Sequence, residues 1–175
     1  MADLIYDSAA VSAALDRMAL AIKSQGNDIA LIGIERGGAR VADAVQQRLE
    51  RAGCSVARGD LDISFYRDDL DTIGSNPEVR PSRMPFDISG RTVWLMDDVL
   101  YTGRTIRAAL GEVFDYGRPD VVRLGVLLDR GGRQLPISAD IAGLMHAADP
   151  GCSVKLVTEE NSENDWHIVQ RRVRT

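Results

Sequence analysis

The run Val93-Trp94-Leu95-Met96, followed by Asp97-Asp98 and, after Val99-Leu100, by Tyr101-Thr102-Gly103-Arg104-Thr105, constrains this chain more than any other stretch. Four successive apolar residues fit a strand buried on both faces, as in a parallel sheet covered by helices. From Ile106 the apolar residues recur at Ala109, Leu110, Val113 and Phe114, the spacing of one helix face. The two acids therefore fall at the carboxyl end of a buried strand, where open α/β sheets bind ligands. The Thr-Gly turn then leads into a helix N-terminus.

Unpaired backbone N–H groups, the positive end of the helix dipole, two threonine hydroxyls and a glycine that permits close approach suit a phosphate dianion. The carboxylates of Asp97 and Asp98 suit something else, because beside a phosphate they repel it. They accept hydrogen bonds from vicinal hydroxyls or help to hold a metal ion. A ribose 5-phosphate satisfies both halves of the segment. The bland alternative is a strand end, a turn and an ordinary helix cap.

The rest of the chain alternates strand and helix patterns, which predicts an α/β fold with a central, mostly parallel sheet flanked by helices. Ser8 to Lys23 reads as a helix with Val11, Ala14, Leu15, Met18 and Ile22 on one face. Ile29 to Ile34 reads as a second buried strand, Val41 to Ala52 as part of a second helix, and Ser55 to Tyr66 as a strand with partial alternation. Val121 to Leu128 is a further core strand, with shorter ones near Val154–Thr158 and Trp166–Val169. At 175 residues one domain is expected, burying roughly 70% of its unfolded surface.

Two other strand ends carry polar turns. At Gly33-Ile34-Glu35-Arg36-Gly37-Gly38, an arginine beside glycines either holds a second anion or is simply solvated. At Leu128-Asp129-Arg130-Gly131-Gly132-Arg133, a third strand end offers charges and turn residues to the same crevice. Residues 67–89 have few apolar side chains, no helical period and prolines at 77, 81 and 85. A loop this long inside a compact domain is a lid that excludes water or an inert insertion.

The formal charge of −5 argues against non-specific nucleic-acid binding by bulk charge. Cys54 and Cys152 lie far apart without a metal-ligand pattern, so free thiols in a reducing compartment are expected. The N-terminus lacks a leader pattern and no uncharged apolar run is long enough to span a bilayer, which reads as a cytoplasmic chain without a membrane role.

The segment 93–105 resembles the phosphoribosyl-diphosphate motif of type I phosphoribosyltransferases: four apolar residues, two acids, two apolar residues, a variable residue, then Thr-Gly and, after Arg104, a hydroxyl. A narrower resemblance joins Asp60 to Leu70, Asp97 to Ala108, and Gly117-Arg118-Pro119 through Leu128-Asp129-Arg130-Gly131 with Leu135-Pro136-Ile137 to the PyrR family. Its members are pyrimidine operon regulators that are also uracil phosphoribosyltransferases. Tyr101 is the PyrR form of a position that is usually aspartate in hypoxanthine-guanine enzymes.

This resemblance implies the type I phosphoribosyltransferase fold in one domain spanning 1–175, with a flexible lid loop at about 67–89 and a small hood from about 136–175. It implies catalytic Asp97, Asp98 and Arg67, with Tyr101, Thr102, Gly103, Arg104 and Thr105 on the 5′-phosphate side of phosphoribosyl diphosphate. Arg36 and Gly37 inherit the pyrophosphate, and Asp129 and Arg130 the base side. Implied ligands are uracil, UMP and Mg²⁺ held mainly by the diphosphate, and the assembly is a homo-oligomer, dimer or tetramer. Two roles stay open: the enzyme, with or without UMP sensing, and an attenuator that binds pyrimidine leader RNA. Gly132, Ser138 and Gly143-Leu144-Met145 depart from the family pattern and remove positive charge, which weighs against RNA. A purine or orotate phosphoribosyltransferase is the third alternative.

Overall fold

In the computed structural model, residues 2–63, 82–158 and 165–173 are described. The elements run β1 (Ala2–Tyr6), α1 (Ser8–Lys23), β2 (Asp28–Ile34), α2 (Gly37–Arg51), β3 (Ser55–Leu61), β4 (Thr92–Leu100), α3 (Arg104–Tyr116), β5 (Val121–Asp129), β6 (Ile141–Met145), β7 (Cys152–Thr158) and β8 (Trp166–Arg172). The expected helix at Ser8–Lys23 is present with those bounds, started by Asp7, whose carboxylate accepts from the Ala10 N–H at 2.8 Å. Strand β4 runs four residues beyond Met96, so both acids belong to its last turn of pleat rather than to the loop after it.

Five strands form a parallel sheet in the order β3-β2-β4-β5-β6. Alternation sorts their side chains onto two cores. Ile29, Leu31, Trp94 and Met96 pack with α1 and α2 through Val11, Leu15, Met18, Ile22, Val45 and Leu49. Ala30, Ile32, Val93 and Leu95 pack with α3 through Ile106, Ala109 and Val113. Such strands, apolar on both faces, read as the continuous runs seen in the sequence.

A second sheet, β1-β8-β7, is antiparallel. The first strand therefore pairs with the last, a long-range contact for which neither segment carries a motif. Within residues 136–175, β6 forms an edge of the large sheet while β7 and β8 form the small one. Neither β1 nor β6 is anticipated by the sequence reading. Both span only five residues, too few for a period to declare itself.

The Ser55–Tyr66 strand ends at Leu61, and residues 64–81 lie outside the described part, as does most of the expected 67–89 loop. The far stem is placed: Asp60 and Arg83 exchange two backbone hydrogen bonds of 2.8 Å. The Asp62 N–H donates to Ser82 Oγ at 2.9 Å, and that hydroxyl donates to Glu112 Oε1 on α3. Among the described residues no helix is long and apolar enough to cross a membrane.

Two stability predictions follow from these contacts. Met18 is fully buried, so Met18→Ala is expected to cost about 2–5 kcal/mol, whereas Asp7→Ala, which removes only the α1 cap, costs about 1 kcal/mol. Urea midpoints at unchanged m-value rank them, and a cap loss as large as the core loss contradicts this packing. Burial pushes the Glu112 carboxyl above its ordinary value, the Ser82 hydroxyl pulls it back, and Asp62 and Asp115 push it up further. The native chain then binds that proton more tightly than the unfolded chain, so this group makes stability fall as pH rises through its raised pKa. A Glu112→Gln chain should gain on its parent as pH rises from about 4 to 7; a constant difference in midpoints over that range sinks the assignment.

Candidate active site

Strands β2 and β4 are neighbours, but the chain leaves β2 for α2 on one face of the sheet and leaves β4 for α3 on the other. A crevice opens outside the carboxyl ends of strands at such a switch in direction. Here it is a cavity of about 1300 Å³. Three strand ends contribute to it: residues 35–37 after β2, 97–106 at the end of β4 and beyond, and Arg130 with Gly132 after β5. Residues 148–156 and Val173 of the small-sheet region complete the lining.

Two glycines set how closely the first turn approaches the acids. A Cβ built on Gly37 would overlap Asp98 Oδ2 and lie 2.9 Å from Oδ1, and one on Gly38 would overlap the Met96 carbonyl and lie 2.8 Å from Asp97 Cα. Any side chain at either position forces α2 away from β4. Asp97 is only 6% exposed. The Asp98 N–H donates to Asp97 Oδ1 at 2.9 Å and the Val99 N–H to Asp98 Oδ1 at 2.8 Å, which orients each carboxylate along its own backbone. Arg36 occupies the N-cap of α2 without a side-chain cap hydrogen bond, and the Glu35–Arg36 peptide is cis.

The second turn leads from β4 into the N-terminus of α3, as expected. Gly103 caps α3 with φ +92°, a left-handed conformation that favours glycine. No side-chain cap hydrogen bond closes the helix end, although Thr102 Oγ1 accepts the Arg104 N–H at 3.3 Å. The first-turn N–H groups of α3 thus border the cavity together with the Thr102 and Thr105 side chains.

A brace behind this loop escaped the sequence reading. The Gln134 and Leu135 N–H groups donate to the Thr102 carbonyl at 3.0 and 3.1 Å. Arg133 Nη1 donates to the Tyr101 carbonyl at 2.8 Å and Nε to the Ile137 carbonyl at 2.9 Å, while Nη2 pairs with Asp129 Oδ2. Asp129 also accepts the Gly131 N–H at 2.9 Å. Asp129, expected on the base side, is not among the cavity-lining residues; it orients Arg133. Arg130 does line the cavity, its Cζ 3.9 Å from the Tyr101 ring centroid and its Nη2 donating to the Cys152 carbonyl at 3.0 Å.

The structure thus gathers Arg36, Gly37, Asp97, Asp98, Tyr101 to Thr105 and Arg130 around one cavity. Arg67 lies outside the described residues. Glu35 and residues 148–156 were missed. Glu35 sits inside a quoted motif and could have been found there, but the small-sheet lining, including Lys155, bears no motif and reaches the site only through the tertiary fold. Among the described residues no three His, Cys, Asp or Glu side chains converge to hold a metal. Two adjacent carboxylates are the usual protein share for Mg²⁺ that takes its other oxygens from a phosphate ligand and water.

Residues 1–147 match the model of the phosphoribosyl transferase domain. Solved structures share the architecture. A hypoxanthine-guanine phosphoribosyltransferase from Bacillus anthracis superposes with a TM-score of 0.69 over 98% of both chains at 16% identity. The Trypanosoma cruzi hypoxanthine phosphoribosyl transferase reaches 0.70 over 97% of this chain and 91% of that one, at 21% identity. These likenesses establish the type I phosphoribosyltransferase fold.

Sequence relatives narrow the class. The bifunctional protein PyrR of Roseiflexus sp. is 51% identical over 146 residues, 79% of this chain and 78% of that protein. Its namesake in Nitrosococcus oceani is 48% identical over 134 residues, 77% and 75% of the two chains. The Akkermansia muciniphila PyrR is 38% identical over 169 residues, 95% and 94%. The chain belongs to the PyrR family.

The Gly37 contact generates a direct test. Gly37→Ala should move the α2 start off Asp98 and weaken phosphoribosyl diphosphate binding about tenfold or more, with the helical circular dichroism retained. Calorimetric affinity equal to that of the parent chain removes this role for the contact.

Proposed function

We propose that the chain is a uracil phosphoribosyltransferase that converts uracil and phosphoribosyl diphosphate into UMP and pyrophosphate. The observation that carries this reading is the set of groups around the cavity: the N-terminus of α3 with its threonines, the Asp97–Asp98 pair, and the Arg36–Gly37 turn. An anion at one end, hydroxyls in the middle and a second anion at the other end describe phosphoribosyl diphosphate. Its 5′-phosphate takes the Thr102–Thr105 N–H groups and hydroxyls, its ribose hydroxyls donate to the carboxylates, and its diphosphate meets Arg36.

In the reaction the bond from ribose C1 to the diphosphate oxygen breaks and its electron pair leaves with pyrophosphate. The ring gains positive character, which the negative charge of Asp97 and Asp98 stabilises. Arg36 offsets the charge that grows on the departing group, a role that Arg67 of the 67–89 loop shares on this reading. The Asp97 and Asp98 carboxylates would help to hold a Mg²⁺ that comes with the diphosphate, which would supply Lewis-acid charge to the leaving group. Uracil N1 then bonds to C1, and its proton passes to the departing pyrophosphate or to water. Because that N–H is itself acidic, positioning supplies much of the rate.

The relatives' bifunctional name raises leader RNA as a second ligand, but the described geometry favours the enzyme. Arg17, one of two cations on α1, donates to the Gly143 carbonyl at 2.8 Å instead of standing free on the surface. Pyrophosphate release, measured with phosphoribosyl diphosphate, magnesium and each of uracil, orotate, adenine, guanine and hypoxanthine, tests the reading. Turnover is expected with uracil, and Asp97→Asn combined with Asp98→Asn should lower kcat on the order of a hundredfold. Turnover confined to a purine, or wild-type speed in the double variant, overturns it.

A further inference from the structure

The phosphate loop, the acids and the Arg36 turn leave one part of the lining without a role: the Tyr101 ring, Arg130, Gly132 and the facing residues 148–156. The Tyr101 ring is 46% exposed yet held against the Arg130 guanidinium, 3.9 Å from Cζ to centroid, well within cation–π range. That guanidinium is itself anchored on the Cys152 carbonyl, and its buried Nε–H has no acceptor among the described residues. A Cβ built on Gly132 would lie 2.5 Å from Tyr101 Cε2 and 3.1 Å from Cδ2. The ring fills the space that a side chain at 132 would need.

We propose that Gly132 is a positioning residue for the nucleobase: lacking a side chain, it lets the Tyr101 ring settle on Arg130, and that backed ring is the wall that receives uracil. This rests on the uracil phosphoribosyltransferase reading. With the sugar and both anions placed, the base has only this part of the cavity left. A flat, electron-poor pyrimidine matches an exposed aromatic face whose other side is backed by a cation. A methyl group at 132 pushes the ring from 2.5 Å toward an ordinary carbon contact of about 3.5 Å, and displacements near 1 Å carry large kinetic penalties.

Gly131 supplies the control. It has φ +71°, against +75° at Gly132, but among the described residues nothing lies within 4 Å of its would-be Cβ. Gly131→Ala thus carries the backbone strain without moving Tyr101. In steady-state assays Gly132→Ala is expected to raise the KM for uracil about tenfold while the KM for phosphoribosyl diphosphate stays within about twofold; Gly131→Ala should leave both within about twofold. In a Tyr101→Ala background, adding Gly132→Ala should have little further effect on uracil KM. Should Gly132→Ala not fold, Arg130→Met, which removes the support under the ring, is expected to give the same selective rise. Equal uracil KM changes in the two alanine variants, or an unchanged uracil KM in Gly132→Ala or Arg130→Met, overturn the inference while leaving the enzyme reading intact. A parent chain that forms no UMP removes both.

Discussion

The site depends on how closely the start of α2 can approach the end of β4. Gly33 of β2 lies in register with Met96 of β4, so the chain leaving β2 has to cross directly over the residues that precede the acids. It can do so because Gly37 and Gly38 place no carbon where Asp98 and the Met96 carbonyl already stand. The parallel sheet supplies the crevice, and these two missing side chains determine its width. Had either residue been alanine, the turn carrying Arg36 would sit farther from the carboxylates.

Charge is ordered along the cavity and not merely concentrated there. Carboxylates beside a phosphate site are unfavourable in isolation, since like charges repel most strongly where water is excluded. The penalty becomes selectivity when anion sites flank the acids, because a ligand then has to present hydroxyl donors at its centre. Asp97 and Asp98 cannot retreat, as each carboxylate is fixed by a neighbouring N–H at 2.8–2.9 Å.

Much of this was legible in the sequence where a strand is buried on both faces and ends in a short turn. β2, β4 and β5 announce themselves as apolar runs, and their turns hold Arg36, Asp97–Thr105 and Arg130. What stayed hidden depends on contacts between residues distant in sequence. β1 finds its place only by pairing with β8, so nothing local distinguishes Ala2–Tyr6 from a tail. Arg133 looks like one more cation in a polar turn, and only the fold shows it gripping the Tyr101 and Ile137 carbonyls. Asp129 was legible as a strand-end acid but not as the partner of Arg133. An isolated acid in a motif does not reveal whether it faces the ligand or the protein.

The small sheet is joined to the rest of the fold by core packing of Val154 and Ile168 and by specific side-chain hydrogen bonds. Arg130 after β5 reaches the Cys152 carbonyl on β7 at 3.0 Å, and Arg40 of α2 donates to Thr158 Oγ1 at 2.6 Å. Both cations stand on elements that carry site turns, so any displacement of β7 is transmitted to the Tyr101 stack on one side and to the Arg36 helix on the other. On the proposed reading, the groups assigned to sugar and leaving group stand at the ends of the parallel strands, whereas those assigned to the base stand on the loop after β5 and on the antiparallel sheet. On that reading Gly132 belongs to the base-side loop, whereas the Gly37–Asp98 approach belongs to the strand ends.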